Sequence, residues 1–291
     1  MQTKTFGILA ILGASLMWAI EPIFGKLSYF NSDFLHTSAI RAVFAALTAL
    51  VYLFITKSNL RINKKQFSAL AYIAIVAVIF ADLIYFFALT KVPVINAVLI
   101  AHMQPIFIIL MGFFILKEDK LTKFDYLGIF LMIIAGFIVT TRTYENLFSL
   151  KLGTFGDFLV LLATIAWSTT AIAMRKFLKS MNAAAIAFYR YLIASFVFAA
   201  YLLYTSSLVI SNIYQILVGI VVGIGTILYY EGLKRLKAAQ VGALELSTPF
   251  FAAILSFFIL KEVTTLMQTI GIVLLFVGVY FLSRKEEVKS Q

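Results

Sequence analysis

Residues 96–118 read NAVLIAHMQPIFIILMGFFILKE, and residues 240–262 read QVGALELSTPFFAAILSFFILKE. The last six residues of the two stretches are identical, and each stretch has a proline at the same place, Pro105 in the first and Pro249 in the second. Each stretch is long and apolar enough to cross a bilayer as a helix. The pattern therefore indicates a membrane protein that contains the same kind of segment twice.

The composition of the whole chain points the same way. Of its 291 residues, 63% are hydrophobic and only 13% are charged, whereas soluble domains are about 25% charged. The net charge of +11 would favour nucleic acid as a partner in a soluble protein, but here Lys and Arg are spread over many short loops. We therefore predict an all-α integral membrane protein that binds no nucleic acid. The absence of cysteine excludes disulfides and thiolate metal sites.

Apolar runs along the chain predict ten membrane spans. The predicted spans are residues 6–26, 36–56, 67–89, 94–116, 124–141, 155–175, 183–205, 211–233, 238–260 and 265–283. Seventeen Lys and Arg residues fall on the side of the N-terminus and five on the other side, with Arg41 and Arg190 inside spans. Because positive residues concentrate in cytoplasmic loops, both termini are expected in the cytoplasm and the chain in the cell membrane.

Residues elsewhere in the chain also recur at fixed offsets. The matched residues are Trp18 with Trp167, Lys26 with Arg175, Arg41 with Arg190, Tyr85 with Tyr229, Pro105 with Pro249, and Lys117–Glu118 with Lys261–Glu262. We therefore predict two five-helix repeats, residues 1–142 and 153–291. Because five is odd, the second repeat would enter the membrane inverted relative to the first. Inverted repeats are typical of secondary transporters, in which the substrate site lies near the midplane between the repeats.

This set of features resembles the drug/metabolite transporter superfamily, in its ten-span EamA-type branch. The resemblance rests on Trp18 and Lys26 in the first span, an arginine early in the second, and the doubled pattern of small residues, central proline and terminal glutamate. It covers essentially the whole chain. It implies an export-type carrier that alternates between inward and outward openings, with a central cavity lined by the first, third and fourth spans of each half. The family exports amino acids, nucleobases and varied metabolites, so the resemblance names no substrate.

Ionisable side chains in the middle of a span are costly in lipid, so they usually face protein or a watery cavity. Glu245 lies near mid-depth of the ninth span, and Pro249 lacks the N–H that would bond the carbonyl of residue 245. We expect the helix to break there, with a free carbonyl beside the carboxylate. Such a site would receive a proton, a cation or a substrate ammonium. The alternative is a carboxyl that is hydrogen-bonded to a neighbouring helix.

His102 lies three residues before Pro105, at a similar depth in the fourth span. Its imidazole titrates near neutral pH, which suits proton coupling or a hydrogen bond to substrate, and a neutral structural histidine is the alternative. Glu21 directly precedes Pro22 in the first span, which again predicts a local break. Glu21 is expected either to line a cavity or to pair with Arg41.

Two further pairs of opposite charge lie at matching depths, Arg41 with Asp82 and Arg190 with Glu231. We expect both to form ion pairs that act in coupling or gating, with substrate contact as the alternative.

The aromatic residues Trp18, Tyr85, Trp167 and Tyr229 are expected to line the cavity, with an interfacial belt as the alternative. A stripe of small residues in the eighth span, Gly219, Gly223 and Gly225, favours internal helix contacts over a dimer seam. The chain is expected to be a monomer or a weak homodimer.

Other classes of protein require motifs that this chain lacks. It has no P-loop, no HExxH sequence, no GxSxG sequence and no aspartate-rich metal motif, so we predict neither an enzyme nor a cofactor or metal. The predicted function is a secondary active exporter that moves a small organic solute, such as an amino acid, across the lipid bilayer by alternating access. Its coupling would be to protons or absent. The alternatives are a multidrug exporter of lipophilic cations and, less favoured, a membrane-embedded enzyme or scaffold subunit.

Overall fold

The protein forms a bundle of apolar helices. The computed structural model describes residues 2–57, 60–116, 122–151, 153–178, 181–205, 207, 209–236 and 238–283. Within these ranges all regular structure is helical, and nine helical stretches are long and apolar enough to cross a membrane. The last helix is apolar over Leu266–Leu282 but shorter than the other nine. The described chain is therefore an all-helical membrane protein, as the sequence predicts.

The first half of the chain contributes eight helices. They are α1 (Gln2–Ser28), α2 (Phe34–Thr56), α3 (Lys64–Ile73), α4 (Leu83–Leu89), α5 (Val94–Ala101), α6 (Gln104–Met111), α7 (Lys123–Thr141) and α8 (Tyr144–Phe148). A π-helical segment, Ala74–Asp82, joins α3 to α4 into one span, and a second, Gly112–Leu116, extends α6.

The second half contributes six more helices. They are α9 (Phe155–Phe177), α10 (Ala183–Tyr204), α11 (Ile213–Leu233), α12 (Ala238–Glu245), α13 (Ser247–Leu260) and α14 (Leu266–Ser283). Glu118, which matches Glu262 in the sequence repeat, lies outside the described residues.

Polar residues in the short loops fix where several helices begin. Asn63, Thr122, Thr154 and Asn212 each accept a hydrogen bond from the backbone N–H three residues later, and the side chain of that later residue accepts one in return. These capping boxes satisfy N–H groups that the first turn of a helix leaves unpaired. The loops therefore set the bounds of the spans with very few residues.

Two of the spans are broken in the middle. Between α5 and α6 the chain turns at His102 and Met103, and between α12 and α13 it turns at Leu246. Pro105 and Pro249 follow these turns closely, and each lacks the N–H that would continue the helical bonding across the turn. Each break places main-chain carbonyls at mid-depth in the bundle.

The break expected at Pro22 is absent, which corrects the sequence-based prediction. Helix α1 runs without interruption from Gln2 to Ser28 with Pro22 inside it. One proline removes one backbone bond, and a membrane helix tolerates that loss where neighbouring helices surround it. Here α11, α12 and α13 pack along α1.

The bundle has two ends, which we name from the course of α1. At the N-terminal end, the Arg235 guanidinium lies 4.7 Å from the ring of Phe6, and Tyr189 donates to the carbonyl of Leu60 at 2.7 Å. At the opposite end, Asn212 donates to the carbonyl of Ser28 at 2.8 Å. The loops that follow α1, α4, α7, α10 and α13 lie at this opposite end.

Helices of the two halves pack against each other in matching pairs. Helix α1 lies against α11, α12 and α13, while its counterpart α9 lies against the π-helical segment Ala74–Asp82, α4, α5 and α6. Helix α2 lies against its counterpart α10, and α7 lies against α14. The centre of the bundle is therefore bounded by helices of both halves.

The glycine stripe of α11 makes contacts inside the chain. A Cβ atom at Gly219 would lie 2.6 Å from the carbonyl oxygen of Arg41, and one at Gly223 would lie 2.8 Å from Cβ of Thr48. Glycine at these two positions therefore allows α2 and α11 to approach backbone to backbone. The stripe serves internal helix contact, which is the alternative that the sequence favoured.

Candidate functional site

A cavity of about 280 Å³ lies between the two halves at the middle of the bundle. Of the residues predicted from sequence, those that line it are Trp18, Glu21, Pro22, Arg41, Asp82, Tyr85, His102, Pro105, Trp167, Arg190, Tyr229 and Glu245. Glu231 and Pro249 are not among the lining residues. The cavity thus collects most of the predicted site, and it places acidic, basic and aromatic side chains around one space.

Arg41 lies at the centre of a charge cluster on one side of the cavity. Its guanidinium contacts Glu21 at 2.6 Å and Asp82 at 2.8 Å. Arg41 is only 3% exposed and Asp82 only 4%. Both pairings expected from sequence, Arg41 with Asp82 and Arg41 with Glu21, are thus present at once. Two carboxylates surround one guanidinium, so Arg41 is fully compensated.

Trp167 ties this cluster to the second half of the chain. Its indole Nε1 donates a hydrogen bond of 2.8 Å to Oδ1 of Asp82. Asp82 therefore holds Arg41 with one oxygen and Trp167 with the other. The position of Asp82, at the last residue of the π-helical segment, brings its carboxylate to both partners.

The cavity aromatics form two pairs, and each pair joins a tryptophan of one half to a tyrosine of the other half. Trp18 and Tyr229 have ring centroids 5.0 Å apart, and Trp167 and Tyr85 have centroids 5.2 Å apart. Each tryptophan of one half therefore contacts the tyrosine that the repeat pattern assigns to the other half. A further tyrosine, Tyr189, lies at the N-terminal end, where it donates to the carbonyl of Leu60.

His102 and Glu245 meet where the two broken spans cross. The Nδ1 atom of His102 lies 2.7 Å from the carbonyl oxygen of Val98, and the main-chain carbonyl of Glu245 lies near the His102 side chain. Pro249 has no N–H to bond that same carbonyl. The second broken span thus leaves a carbonyl available beside His102 of the first half. The carboxylate of Glu245 lines the cavity and forms no ion pair with a described residue.

The ion pair expected between Arg190 and Glu231 is absent, which corrects that prediction. Glu231 instead contacts Lys234 at 2.8 Å and Arg235 at 2.5 Å, at the end of α11. Lys234 and Arg235 lie three and four residues after Glu231, so they reach its carboxylate at little conformational cost. Arg190 faces the cavity, and its guanidinium carbon lies 4.8 Å from the centroid of the Tyr191 ring.

The cavity lining reaches to both sides of mid-depth in the bundle. It includes Met174 and Val279 towards the N-terminal end, and Pro22 and Phe86 towards the opposite end. At the opposite end, Nζ of Lys26 contacts Glu262 at 2.8 Å, and the second oxygen of Glu262 accepts a bond of 2.8 Å from the backbone N–H of Val94. These contacts hold the ends of α1 and α13 to the beginning of α5.

Several lining residues were not singled out from the sequence. Thr170, Tyr191, Thr226, Tyr230 and Thr248 all contribute to the cavity. The hydroxyl of Thr248 is buried and has no hydrogen-bond partner among the described residues. Threonine and tyrosine are common in membrane helices, so their presence in the sequence gave no signal. Glu262, which follows the doubled FFIL segment, was also not assigned to the site from the sequence.

The chain is similar to proteins that are described as transporters. The EamA-like transporter family matches it twice, over residues 5–141 and 154–284. An uncharacterized transporter of Methanothermobacter thermautotrophicus is 27% identical over 231 residues, which cover 78% of this chain and 67% of the relative. An uncharacterized transporter of Synechocystis sp. is 26% identical over 233 residues, which cover 75% of this chain and 66% of the relative. These matches span about two thirds of the length of both relatives.

A third relative and a solved structure match over more of their length. Uncharacterized transporter YyaM of Bacillus subtilis is 26% identical over 247 residues, which cover 81% of this chain and 79% of the relative. One crystal structure superposes with a TM-score of 0.67 at 17% identity and covers 98% of this chain and 99% of its own. At that identity the superposition shows the fold alone.

The membrane-length helices and these likenesses define a multi-pass membrane transporter. With both halves matched, the chain belongs to the EamA-like transporter family.

Proposed function

We propose that this transporter is a secondary carrier that moves a small organic solute, such as an amino acid or a related metabolite, by alternating access. The observation that carries the proposal is the central cavity, which both halves line with acidic, basic and aromatic side chains. Charged side chains at this depth are costly in a bilayer and commonly mark a solute pathway. The size of the cavity, about 280 Å³, is close to the lower end of typical ligand pockets. A small solute fits it best.

In this proposal α14 is the tenth span, and residues 1–142 and 153–291 are inverted repeats. Helix α1 begins at the N-terminal end, whereas its counterpart α9 begins at the opposite end, where Asp157 at its start accepts a bond from Asn96. The contacts of Trp18 with Tyr229 and of Trp167 with Tyr85 also support an inverted relation between the two halves. Inverted repeats with broken spans at their interface are a recurrent architecture of secondary transporters.

We propose export as the direction of transport, because the resemblance to EamA-type carriers implies it. With both termini in the cytoplasm of the cell, the Lys26–Glu262 contact lies at the outer end of the bundle. Solute would then enter from the cytoplasm and leave after the outer contact separates, which corresponds to export. Glu245 and His102 supply groups that can exchange a proton during this cycle, and facilitated exchange without an ion is the alternative.

An exporter of lipophilic cations is the second candidate. Glu245 and the tryptophans Trp18 and Trp167 favour it, since a cation is attracted both to a carboxylate and to an aromatic face. The small volume of the cavity and the presence of Arg190 favour a compact polar solute instead.

Flux through purified protein in liposomes tests the proposal. We expect counterflow of at least one labelled solute from a panel of amino acids, nucleobases, carboxylic acids and amines, above the rate in protein-free liposomes. Trp18→Ala, which removes a cavity residue, should lower that flux, while Phe30→Ala should not, because Phe30 is 95% exposed in a loop. If no solute in the panel crosses faster than in protein-free liposomes, the carrier proposal is wrong and a scaffold role is favoured.

A further inference from the structure

The two arginines at matching positions of the halves differ in their partners. Arg41 is held by two carboxylates, those of Glu21 and Asp82. Arg190 forms no ion pair with an acidic side chain of the described residues, and its buried Nε atom has no hydrogen-bond partner there. The expected partner of Arg190, Glu231, is held by Lys234 and Arg235 instead. One cavity arginine is therefore in direct contact with carboxylates and the other is not.

The surroundings of Arg190 leave it available to a ligand. The Tyr191 ring lies against its guanidinium, with 4.8 Å from the guanidinium carbon to the ring centroid. Arg190 belongs to the cavity lining, as do the neighbouring Tyr191 and Tyr230. An aromatic face orients a guanidinium but leaves its N–H groups without an anionic acceptor. The charge thus borders a space that a solute can enter.

A buried cation without an anion in contact is unfavourable, and a ligand that supplies that anion removes the cost. The planar guanidinium matches a carboxylate, which it binds through two parallel hydrogen bonds. We infer that Arg190 binds a carboxylate of the transported solute and selects for solutes that carry one. This inference rests on the proposed carrier function, and it assigns to Arg190 a role in specificity rather than in gating.

A second unpaired group in the same cavity narrows the class of solute. Glu245 lines the cavity and forms no ion pair with a described residue. A small solute with a carboxylate at one end and an ammonium group at the other supplies a partner to both Arg190 and Glu245. A solute with an ammonium group alone would leave Arg190 without its anion.

Binding to the purified protein tests this inference separately from transport. The probes are matched in their carbon skeleton: leucine, 3-methylbutylamine, which lacks the carboxylate, and 4-methylpentanoate, which lacks the ammonium group. Calorimetric titration of detergent-solubilised protein measures binding, and counterflow in liposomes measures flux. The variants are Arg190→Gln, Arg190→Lys and, as a matched control outside the cavity, Arg235→Gln, which leaves Glu231 its contact with Lys234.

We expect the wild type to bind leucine and 4-methylpentanoate more tightly than 3-methylbutylamine. Arg190→Gln should weaken binding of the two carboxylates by about tenfold to a hundredfold, as expected for loss of a charged hydrogen-bonding partner. Arg190→Lys should retain part of the affinity, and Arg235→Gln should change nothing. The wild-type comparison of the three probes needs no variant, so it tests the expected preference for carboxylates even if Arg190→Gln does not fold.

The outcomes separate the two proposals. Binding of carboxylates without flux would support the role of Arg190 and contradict the carrier. Flux of 3-methylbutylamine at the rate of leucine would support the carrier and overturn the role of Arg190. Carboxylate binding that Arg190→Gln leaves unchanged, or no binding of either carboxylate, would also overturn the role of Arg190.

Discussion

Nζ of Lys26 lies 2.8 Å from Oε1 of Glu262, so the last turn of the first span is joined to the end of the ninth. The second oxygen of Glu262 accepts a bond from the N–H of Val94, where the fourth span begins. One carboxylate thus fastens three spans at the end of the bundle opposite the N-terminus. In an alternating cycle, this contact has to separate before solute can leave there.

Glu262→Gln should make the cavity more accessible from the opposite end of the bundle. The chain has no cysteine, so Thr170→Cys provides one thiol in the cavity lining. An impermeant maleimide added from that end labels this thiol. Adding Glu262→Gln to Thr170→Cys should speed the labelling by about two- to fivefold, which is the effect of losing a partly exposed ion pair. Glu145→Gln, in α8 of the same end, is the control. Equal labelling rates with and without Glu262→Gln would show that this contact does not restrict access.

Arg41→Ala should destabilise the protein by about 3–5 kcal/mol, because it leaves two buried carboxylates without their cation. Denaturant unfolding in detergent measures the loss. The double variant Arg41→Ala/Asp82→Ala should lose less stability than the sum of the losses in the two single variants. This rescue should be partial, because Glu21 also loses its partner in Arg41→Ala. Arg41→Ala combined with the distant Glu145→Ala should be additive. Additivity of Arg41→Ala with Asp82→Ala would refute an energetic pair.

Glu245→Gln should abolish transport or make it independent of pH while the protein still folds. Glutamine keeps the shape of the side chain but cannot release a proton, and Glu245 has no basic partner in the described chain that the change would strand. Initial rates of flux in liposomes over a range of pH check this, with size-exclusion elution as the test of folding. Glu145→Gln serves again as the matched control. Transport by Glu245→Gln that still varies with pH would exclude this carboxyl as the coupling group.

Gly219→Ala should destabilise the protein by about 1–3 kcal/mol, the usual effect of forcing a methyl group into a filled space. A Cβ atom there would lie 2.6 Å from both the Arg41 carbonyl oxygen and Cβ of Phe44. Gly112→Ala is the matched control, since a Cβ atom at Gly112 has no neighbour within 4 Å. Alanine at this helical position should be neutral or stabilising by up to about 1 kcal/mol. Thermal unfolding of the two variants side by side distinguishes them, and equal stability would contradict the close contact of α2 with α11.

Reporter fusions at both ends of the chain test its orientation. The excess of Lys and Arg on the side of the N-terminus predicts that both ends lie in the cytoplasm. A cytoplasmic reporter should be active at either end, and an export-dependent reporter should be inactive at both. Activity of the export-dependent reporter at one end only would show an odd number of spans.

The sequence predicted much of the charged part of the site because lipid leaves intramembrane charges few alternatives. Arg41 and Asp82 lie at the same depth in neighbouring spans, and in a bundle they can satisfy each other only by meeting. The offset matches of the repeats likewise indicated which tryptophans and tyrosines would approach the centre. These predictions rest on depth and repetition, which a sequence shows directly.

The sequence could not show which of several available partners a charge would take. Glu231 has Lys234 and Arg235 within one turn of its own helix, and these local contacts prevail over one across the bundle to Arg190. The spacing of these three residues favours the local contacts, whereas their depth in the membrane favours the pair across the bundle. The uninterrupted course of α1 through Pro22 also depends on neighbouring helices, which no local pattern records.

The contact at Gly219 and Gly223 also limits how this molecule can change shape. At these two positions α11 places no side chain between itself and α2, so little there can slide or change rotamer. We therefore expect these two helices to move together. A rearrangement that changes which side the cavity opens to would then occur at other helix interfaces, such as those beside the two broken spans.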